Sequence, residues 1–394
     1  MAGSSWGKSD WRADRTHSII AGDRVASMRV YDTVDWWRDE SPSFGEPTEI
    51  RNFSLVGPER QYVSSPVKRK YLIDEIPLKP LWNLSRGYST AVRRDQMQPR
   101  EPYWVPEALD NLEQIASCRM QGAETAWHER HSLLPDFVIC RSSVAKLLRT
   151  PFSEEAWQFV VCRLYGVVFV QHLLTHKVRD DHYRCMKDPH DDLRSYWGLK
   201  FPEYMSSSTP GTDPDVDAVL NELEEYKVVV RNSLGSHTLL MGATIKAVDP
   251  RYEPGSPKGY VVFRTQRMFP TDRQWFNFRR HKLLEWWSYS VPIGVPRVIC
   301  GFRDDDGIVQ SVREFQVHQM PEEARGMWSE DSCLRFLDQF LSFLKEHVRE
   351  DDGRTTYNFE YDPFSRTVIC TRLPDTGKRF ALPNWYLQTF YPTL

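Results

Sequence analysis

The runs 240-LMGATIKAVDP-250 and 260-YVVFRTQ-266 carry the residues whose types and spacing bear most directly on chemistry. Both read as strands, and 249-DPRYEPGSPKG-259 reads as the loop that makes them a hairpin. Residues two apart on a strand share a face, so Thr244 goes with Lys246 and Val262 with Arg264. Acid-x-acid on one strand and acid-x-Lys on the other would gather three carboxylates and an ammonium at one point. That set hydrolyses a phosphodiester: hard oxygens hold Mg2+ or Mn2+, and the Lys orients water or steadies developing charge. Here Thr244 is a weak neutral ligand and Val262 is none. Lys246 and Arg264 bring positive charge to the place of a cation, and such repulsion costs on the order of several kcal/mol in a partly dry site. The expectation is the outline of a metal site that binds neither Mg2+ nor Mn2+.

Other candidate ligands are weaker. His172 and His176 are four apart, as zinc ligands on a helix would be, but Leu173 stands where a Glu is needed and no third ligand is evident. Asp249 reads as a turn former before Pro250, and 304-DDDG-307 as a solvated turn. The seven Cys form no CxxC pair and are odd in number, which fits buried free thiols in a reducing compartment. Lys and Arg at 264, 267, 273, 279, 280, 282, 297 and 303 face only Asp272 and Glu285 in their segment. With interleaved aromatics this segment could hold an RNA strand; the other reading is a solvated helix face with Trp286 and Trp287 in the core.

The elements that must position these residues sit in a chain of 394 residues, long enough for a substantial core. Apolar content is 40% and charged content 27%, as in ordinary globular chains, and the formal net charge of −3 excludes a global field drawing the chain onto nucleic acid or membrane. No secretory signal is read at the N-terminus, and the best apolar run, 160-VVCRLYGVVFV-170, contains Arg163 and is too short to span a bilayer. Residues 1–45 are polar and aperiodic and read as a mobile leader, with one domain over 46–394. Short strands and irregular wraps are expected over 50–103, and helices over 109–126 and 137–148. A buried helix passing into a strand is expected over 155–174, and a polar helix over 215–232 ending in a strand at 228–230. An amphipathic helix is expected over 274–290 and a strand with an acidic Gly turn over 295–307. Cys333, Leu337, Phe340, Leu341, Leu344 and Val348 mark a core-facing helix, followed by strands near 357–361 and 367–371.

The segments 141-RSSVAKLL-148, 197-WGLKFPEYM-205, 235-GSHTLLMG-242, 260-YVVFRT-265 and 274-QWFNFRRHKLLEWWSYSVPIGVPRVICGFRDDDG-307 resemble the decapping exoribonucleases (DXO/Dom3Z) and their fungal relatives. The resemblance covers roughly residues 45 to 390. It implies a mixed α/β fold of two β-sheets flanked by helices with the active site between them, and ancestral chemistry on RNA 5′ ends. The departures are equally specific. Pro202 stands for the family's Glu, Thr244 and Lys246 for its acid-x-acid pair, Val262 and Arg264 for its Glu-x-Lys, and Tyr289 for its Gln; only Arg141 is kept. Glu203 is one step from Pro202, about 100° round a helix, and Pro202 itself opposes a helix interior, so a relocated ligand there is disfavoured.

The pattern of loss resembles a non-catalytic insect germline branch of the family. That implies a nuclear adaptor of piRNA-precursor transcription working with a scaffold of the Rhino–Deadlock type, near nascent or uncapped RNA and a nuclear 5′→3′ exoribonuclease. Arg141, Lys246 and Arg264, with Arg279, Arg280 and Lys282, could instead bind an RNA phosphate without cutting it, or Lys246 and Arg264 could pair with acids or point outward.

Overall fold

The computed structural model describes residues 22–32, 41–94, 134–173, 188–374 and residue 382. The helix expected over 109–126 and His176 lie outside the described residues. In chain order the early strands are β1 (Asp23–Arg29), β2 (Thr48–Val56), β3 (Gln61–Val63), β4 (Tyr71–Leu72) and β5 (Trp82–Asn83). Then come β6 (Phe137–Cys140), β7 (Trp157–Leu164), β8 (Val167–Leu173), β9 (Ser206–Ser207), β10 (Glu225–Leu234), β11 (His237–Thr244) and β12 (Ala247–Val248). The last are β13 (Tyr260–Arg267), β14 (Arg297–Arg303), β15 (Ile308–Gln316), β16 (Tyr357–Asp362) and β17 (Thr367–Arg372). They form a large sheet ordered β1-β17-β16-β7-β8-β6-β11-β10-β2-β3 and a smaller one ordered β5-β15-β14-β13-β12-β4-β9. Helices α1 (Arg141–Arg149), α2 (Pro189–Met205), α3 (Asp272–Asn277), α4 (Leu284–Ser290), α5 (Met320–Glu323) and α6 (Glu330–His347) flank them. This is the mixed α/β, two-sheet architecture expected.

The largest core unites inner-face residues of both sheets, such as Val228, Met241, Val298 and Phe315, with Leu147 of α1, Trp286 and Trp287 of α4 and Phe340 of α6. Phe53, Val160 and Leu240 pack on the other face of the large sheet, and Tyr196, Phe201 and Phe263 under α2 on the other face of the small one. Ser329 caps α6 by accepting from the Ser332 N–H at 3.2 Å, and Cys333, Leu337, Phe340, Leu341 and Leu344 line its buried face.

Several expectations change. The run 155–174 is two strands, β7 and β8, joined at Tyr165 and Gly166, both with positive φ (49° and 78°). That is the twist a two-residue hairpin needs, and a Tyr-Gly pair hides it. The stretch 215–232 contains no long helix; Glu225–Leu234 is a ladder strand between β2 and β11. The β-branched run Val228–Val230 is fully buried there, and packing on both faces outweighs the helix propensity of the preceding Glu and Leu. Residues 137–140 are a strand, and the helix begins only at Arg141. Asp23–Arg29, inside the span expected as a leader, forms β1 at the edge of the large sheet, antiparallel to β17.

The opening hairpin is also different. β11 belongs to the large sheet and β12 and β13 to the small one, so Ile245 and Lys246 are the crossing between sheets. Only Ala247 and Val248 pair with β13, opposite Val261 and Tyr260. Pro202 does not end its helix: α2 runs from the Asp188 cap through Pro202 to Met205. Asp249 is a turn former as read, accepting from the Arg251 N–H at 3.0 Å, and it is also clamped by Arg297 and Arg251.

Candidate functional site

β6 and β11 are parallel neighbours, with Gly242 opposite Cys140, so their C-terminal ends emerge side by side. Arg141 is the first residue past β6, and Thr244 is the last of β11. Arg141 is buried, 3% exposed, and its Nη2 donates to the Thr244 carbonyl at 2.9 Å. Its guanidinium lies 3.8 Å from the ring centroid of Tyr289, which α4 delivers to the same point. Arg264, from the core-facing side of β13, lies 5.0 Å from the same ring. Two guanidiniums thus stack about one phenol, an arrangement favoured by attraction between a cation and the ring face.

Burial disfavours the charged form of Arg264, Tyr289 and then Glu285 work the other way, and Arg141 adds to the penalty. Its Nη1 donates to its own neighbour's carbonyl, Phe263 O, at 3.0 Å. Arg141 Nε and Nη1 are buried and have no hydrogen-bond partner among the described residues. Orphaned guanidinium donors of this kind call for an anion or water.

Thr244 and Lys246 belong to a second group. Thr244 Oγ1 donates to Glu225 Oε1 at 3.4 Å, and Glu225 Oε2 meets Arg60 at 2.9 Å, Lys227 at 3.3 Å and Arg94 at 3.9 Å. Burial pushes the Glu225 carboxyl up, but Lys227, Lys246, Arg60 and Arg94 more than reverse this and hold it at about 2. This carboxylate and its cations escaped the sequence reading. The signal was the alternation EYK before VVV, which puts Glu225 and Lys227 on one face of a strand but was obscured by reading a helix.

The remaining candidates disperse. Pro202 is buried in α2 and Val262 in the main core, 6% exposed. Glu203 forms an ion pair with Lys70. Arg279, Arg280 and Lys282 are exposed in a turn between α3 and α4, and Lys282 pairs with Glu285 at 2.9 Å. His172 lies on β8 beside Phe159, ring centroids 5.3 Å apart, where burial and then Lys146 lower it to about 4. Asp304 closes its turn by accepting from the N–H groups of Asp306 and Ile308 at 3.0 and 2.9 Å.

A divalent cation does not fit this donor set. The side chains assembled with Arg141 are a phenol and a second guanidinium, and the nearest carboxylate to Thr244 is engaged by cations. Among the described residues no three His, Cys, Asp or Glu side chains gather as a metal centre, and no helix is long and apolar enough to cross a membrane.

A family model described as "RAI1 like PD-(D/E)XK nuclease" matches residues 45–387. The human decapping and exoribonuclease protein is 32% identical over 362 residues, spanning 88% of this chain and 86% of that protein. Its mouse counterpart is 31% identical over 383 residues, spanning 93% and 90%. Candida albicans Rai1, solved in complex with pU5 and Mn2+, shares the fold with a TM-score of 0.74 at 18% identity, covering 92% of this chain and 96% of that one. Scheffersomyces stipitis Rai1 gives 0.72 at 18% identity, covering 90% and 98%. These matches show that the chain belongs to the RAI1-like PD-(D/E)XK nuclease family, among relatives that include the decapping exoribonucleases.

Proposed function

We propose that this chain is a non-catalytic member of its family, of the Cutoff type: a nuclear adaptor that supports piRNA-precursor transcription by shielding nascent RNA from 5′-end processing and termination. The observation that carries the reading is the Arg141–Tyr289–Arg264 stack. Cations and a phenol occupy the site where metal-dependent hydrolysis needs converging oxygen anions. Its partners on this reading are a scaffold of the Rhino–Deadlock type and, near the RNA, a nuclear 5′→3′ exoribonuclease. Incubated with 5′-monophosphate, 5′-triphosphate and capped RNA in Mg2+ or Mn2+, the purified protein leaves every substrate intact. Cleavage that EDTA abolishes would sink the reading.

The orphaned Nε and Nη1 of Arg141 favour a second property of the same site, the holding of an RNA 5′ phosphate without hydrolysis. Crosslinking to 5′-monophosphate RNA falls in a Lys246→Glu/Arg264→Glu variant if the pocket holds the phosphate; unchanged crosslinking removes it. An active nuclease that uses Glu203 as a relocated ligand is disfavoured by the ion pair with Lys70. Any activity left unchanged by Glu203→Ala eliminates that alternative.

A further inference from the structure

The loop between β3 and β4 joins the large sheet to the small one and reads 64-SSPVKRK-70. Ser65 is followed at once by Pro66 and, three residues on, by Lys68. That is the pattern a proline-directed protein kinase reads. Its groove has no acceptor for the N–H after the target hydroxyl, and Pro has no N–H to leave unpaired. The cation further on meets an anionic pocket. Five Ser-Pro or Thr-Pro pairs occur in the sequence, at Ser41, Ser65, Thr150, Thr209 and Ser256. The others have Phe44, Ser153, Thr212 and Gly259 at the third position, so Ser65 alone carries the cation.

The fold puts this stretch at the surface. Ser65 is half-buried, Ser64 is exposed, and Val67 is 60% exposed. Among the described residues nothing hydrogen-bonds the Ser65 hydroxyl. Ser54 of β2, fully buried, clasps the loop from beneath: its Oγ donates to the Ser65 carbonyl at 2.9 Å and accepts from the Lys68 N–H at 3.0 Å. The Arg69 N–H closes a turn on the Pro66 carbonyl at 2.9 Å. A kinase groove takes an extended chain, so the loop opens to be read. Opening breaks these three hydrogen bonds and the ion pair of Lys68 with Glu224, and it draws no residue out of the core clusters. Arg69 has a phenol rather than a carboxylate for partner, its Nε donating to Tyr71 Oη at 3.0 Å.

We propose that Ser65 is a phosphoacceptor for a proline-directed protein kinase, and that Lys68 and Arg69 hold the phosphate once the loop recloses. Ser65 Oγ attacks the γ-phosphorus of ATP. The new Oγ–P bond replaces the bond to the β,γ-bridging oxygen, ADP leaves with that oxygen, and the hydroxyl proton passes to the kinase's base. The phosphate carries nearly two negative charges, so it competes with the single charge of Glu224 for Lys68 and gives Arg69 its anion. The modification thus acts on the link between the two sheets, away from the Arg141–Tyr289–Arg264 stack.

The test incubates the full chain with a cyclin-dependent kinase, ATP and Mg2+ and maps the product by mass spectrometry. Phosphate enters at Ser65, and Ser65→Ala removes it. Lys68→Ala slows incorporation about tenfold, the loss of one charge-assisted contact to the kinase. Ser54→Ala, which undoes the clasp, speeds it, with circular dichroism verifying that the variant is folded. The 31P signal of the phosphorylated chain then titrates at lower pH than that of a phosphorylated peptide of residues 60–71, because fixed cations favour the dianion. Arg69→Ala moves the midpoint back up. A folded chain that takes no phosphate while the peptide does overturns the proposal, as does phosphate placed mainly on Thr209, the exposed pair that lacks the cation. An unchanged rate in Lys68→Ala removes the kinase reading, and an unchanged rate in Ser54→Ala removes the clasp. Equal 31P midpoints for chain and peptide remove the cation seat.

Discussion

Glu225 shows what a single carboxylate does in this molecule. Its side chain is 9% exposed and faces Arg60, Lys227, Arg94 and, through space, Lys246. Its ordinary value is 4.5, and the folded chain holds it at about 2. A depressed folded value means that the stabilisation is fully present above about pH 4.5 and is lost as pH falls from there towards 2. The shift corresponds to about 3 kcal/mol. Glu225→Gln is therefore expected to lose about that much at neutral pH, because Lys227, 1% exposed, keeps its charge without its partner. Urea unfolding at neutral pH and at about pH 3 checks both parts: the gap between variant and wild type should narrow by more than half at the lower pH. A gap unchanged between the two conditions would show that Glu225 contributes by packing alone. The readings at 202, 244, 246, 262, 264 and 289 came from residue types within blocks that resemble the family. The Glu225 cluster was not legible in that way, because its cations come from four separate stretches: Arg60 from the turn after β2, Arg94 from beside the Val92–Asn221 bridge, Lys227 from β10 and Lys246 from just past β11.

Among the elements, turns decide the topology that hydrophobic pattern left open. α6 and the two closing strands were legible because their apolar residues repeat at helical or strand period. The β7–β8 hairpin was not, since both its strands are apolar on both faces and periodicity cannot tell such a run from a buried helix. Gly166, φ 78°, has no atom within 4 Å of where a Cβ would stand, whereas Gly307, φ 81°, faces the Trp197 ring with Cε2 2.5 Å away. Gly166→Ala therefore costs only the left-handed backbone penalty, about 1 kcal/mol. Gly307→Ala adds overpacking against a rigid indole, roughly another 1–3 kcal/mol. Paired urea titrations read the ordering directly, and equal costs at the two sites would mean that Trp197 yields freely. That outcome would also loosen Arg303, whose guanidinium lies 4.3 Å from the same ring.

At the scale of the whole molecule, two sheets share a core and the chain crosses between them at Ile245 and Lys246. The site lies where strand ends of both sheets meet under α4. Parallel pairings such as β6 with β11 and β13 with β14 join residues far apart in sequence, so no local pattern announces them. The two-sheet arrangement was legible only through family resemblance. Metal binding tests the non-catalytic reading directly. Val262→Glu alone puts a carboxylate into the main core, where Val262 is 6% exposed, and costs on the order of 2 kcal/mol or more. Mn2+ should not recover that loss, because the cations at 246 and 264 remain. On the proposed reading, Pro202→Glu, Thr244→Glu, Lys246→Asp, Val262→Glu, Arg264→Lys and Tyr289→Gln together supply the oxygen donors that the resemblance implies for a metal. Added Mn2+ then stabilises the variant by about 2.7 kcal/mol at a hundredfold excess over its dissociation constant. The wild type is expected to unfold at the same urea concentration in Mn2+ and in EDTA. A saturable Mn2+ stabilisation of the wild type would mean that oxygen donors converge elsewhere in the frame, and the non-catalytic reading would lose its physical basis.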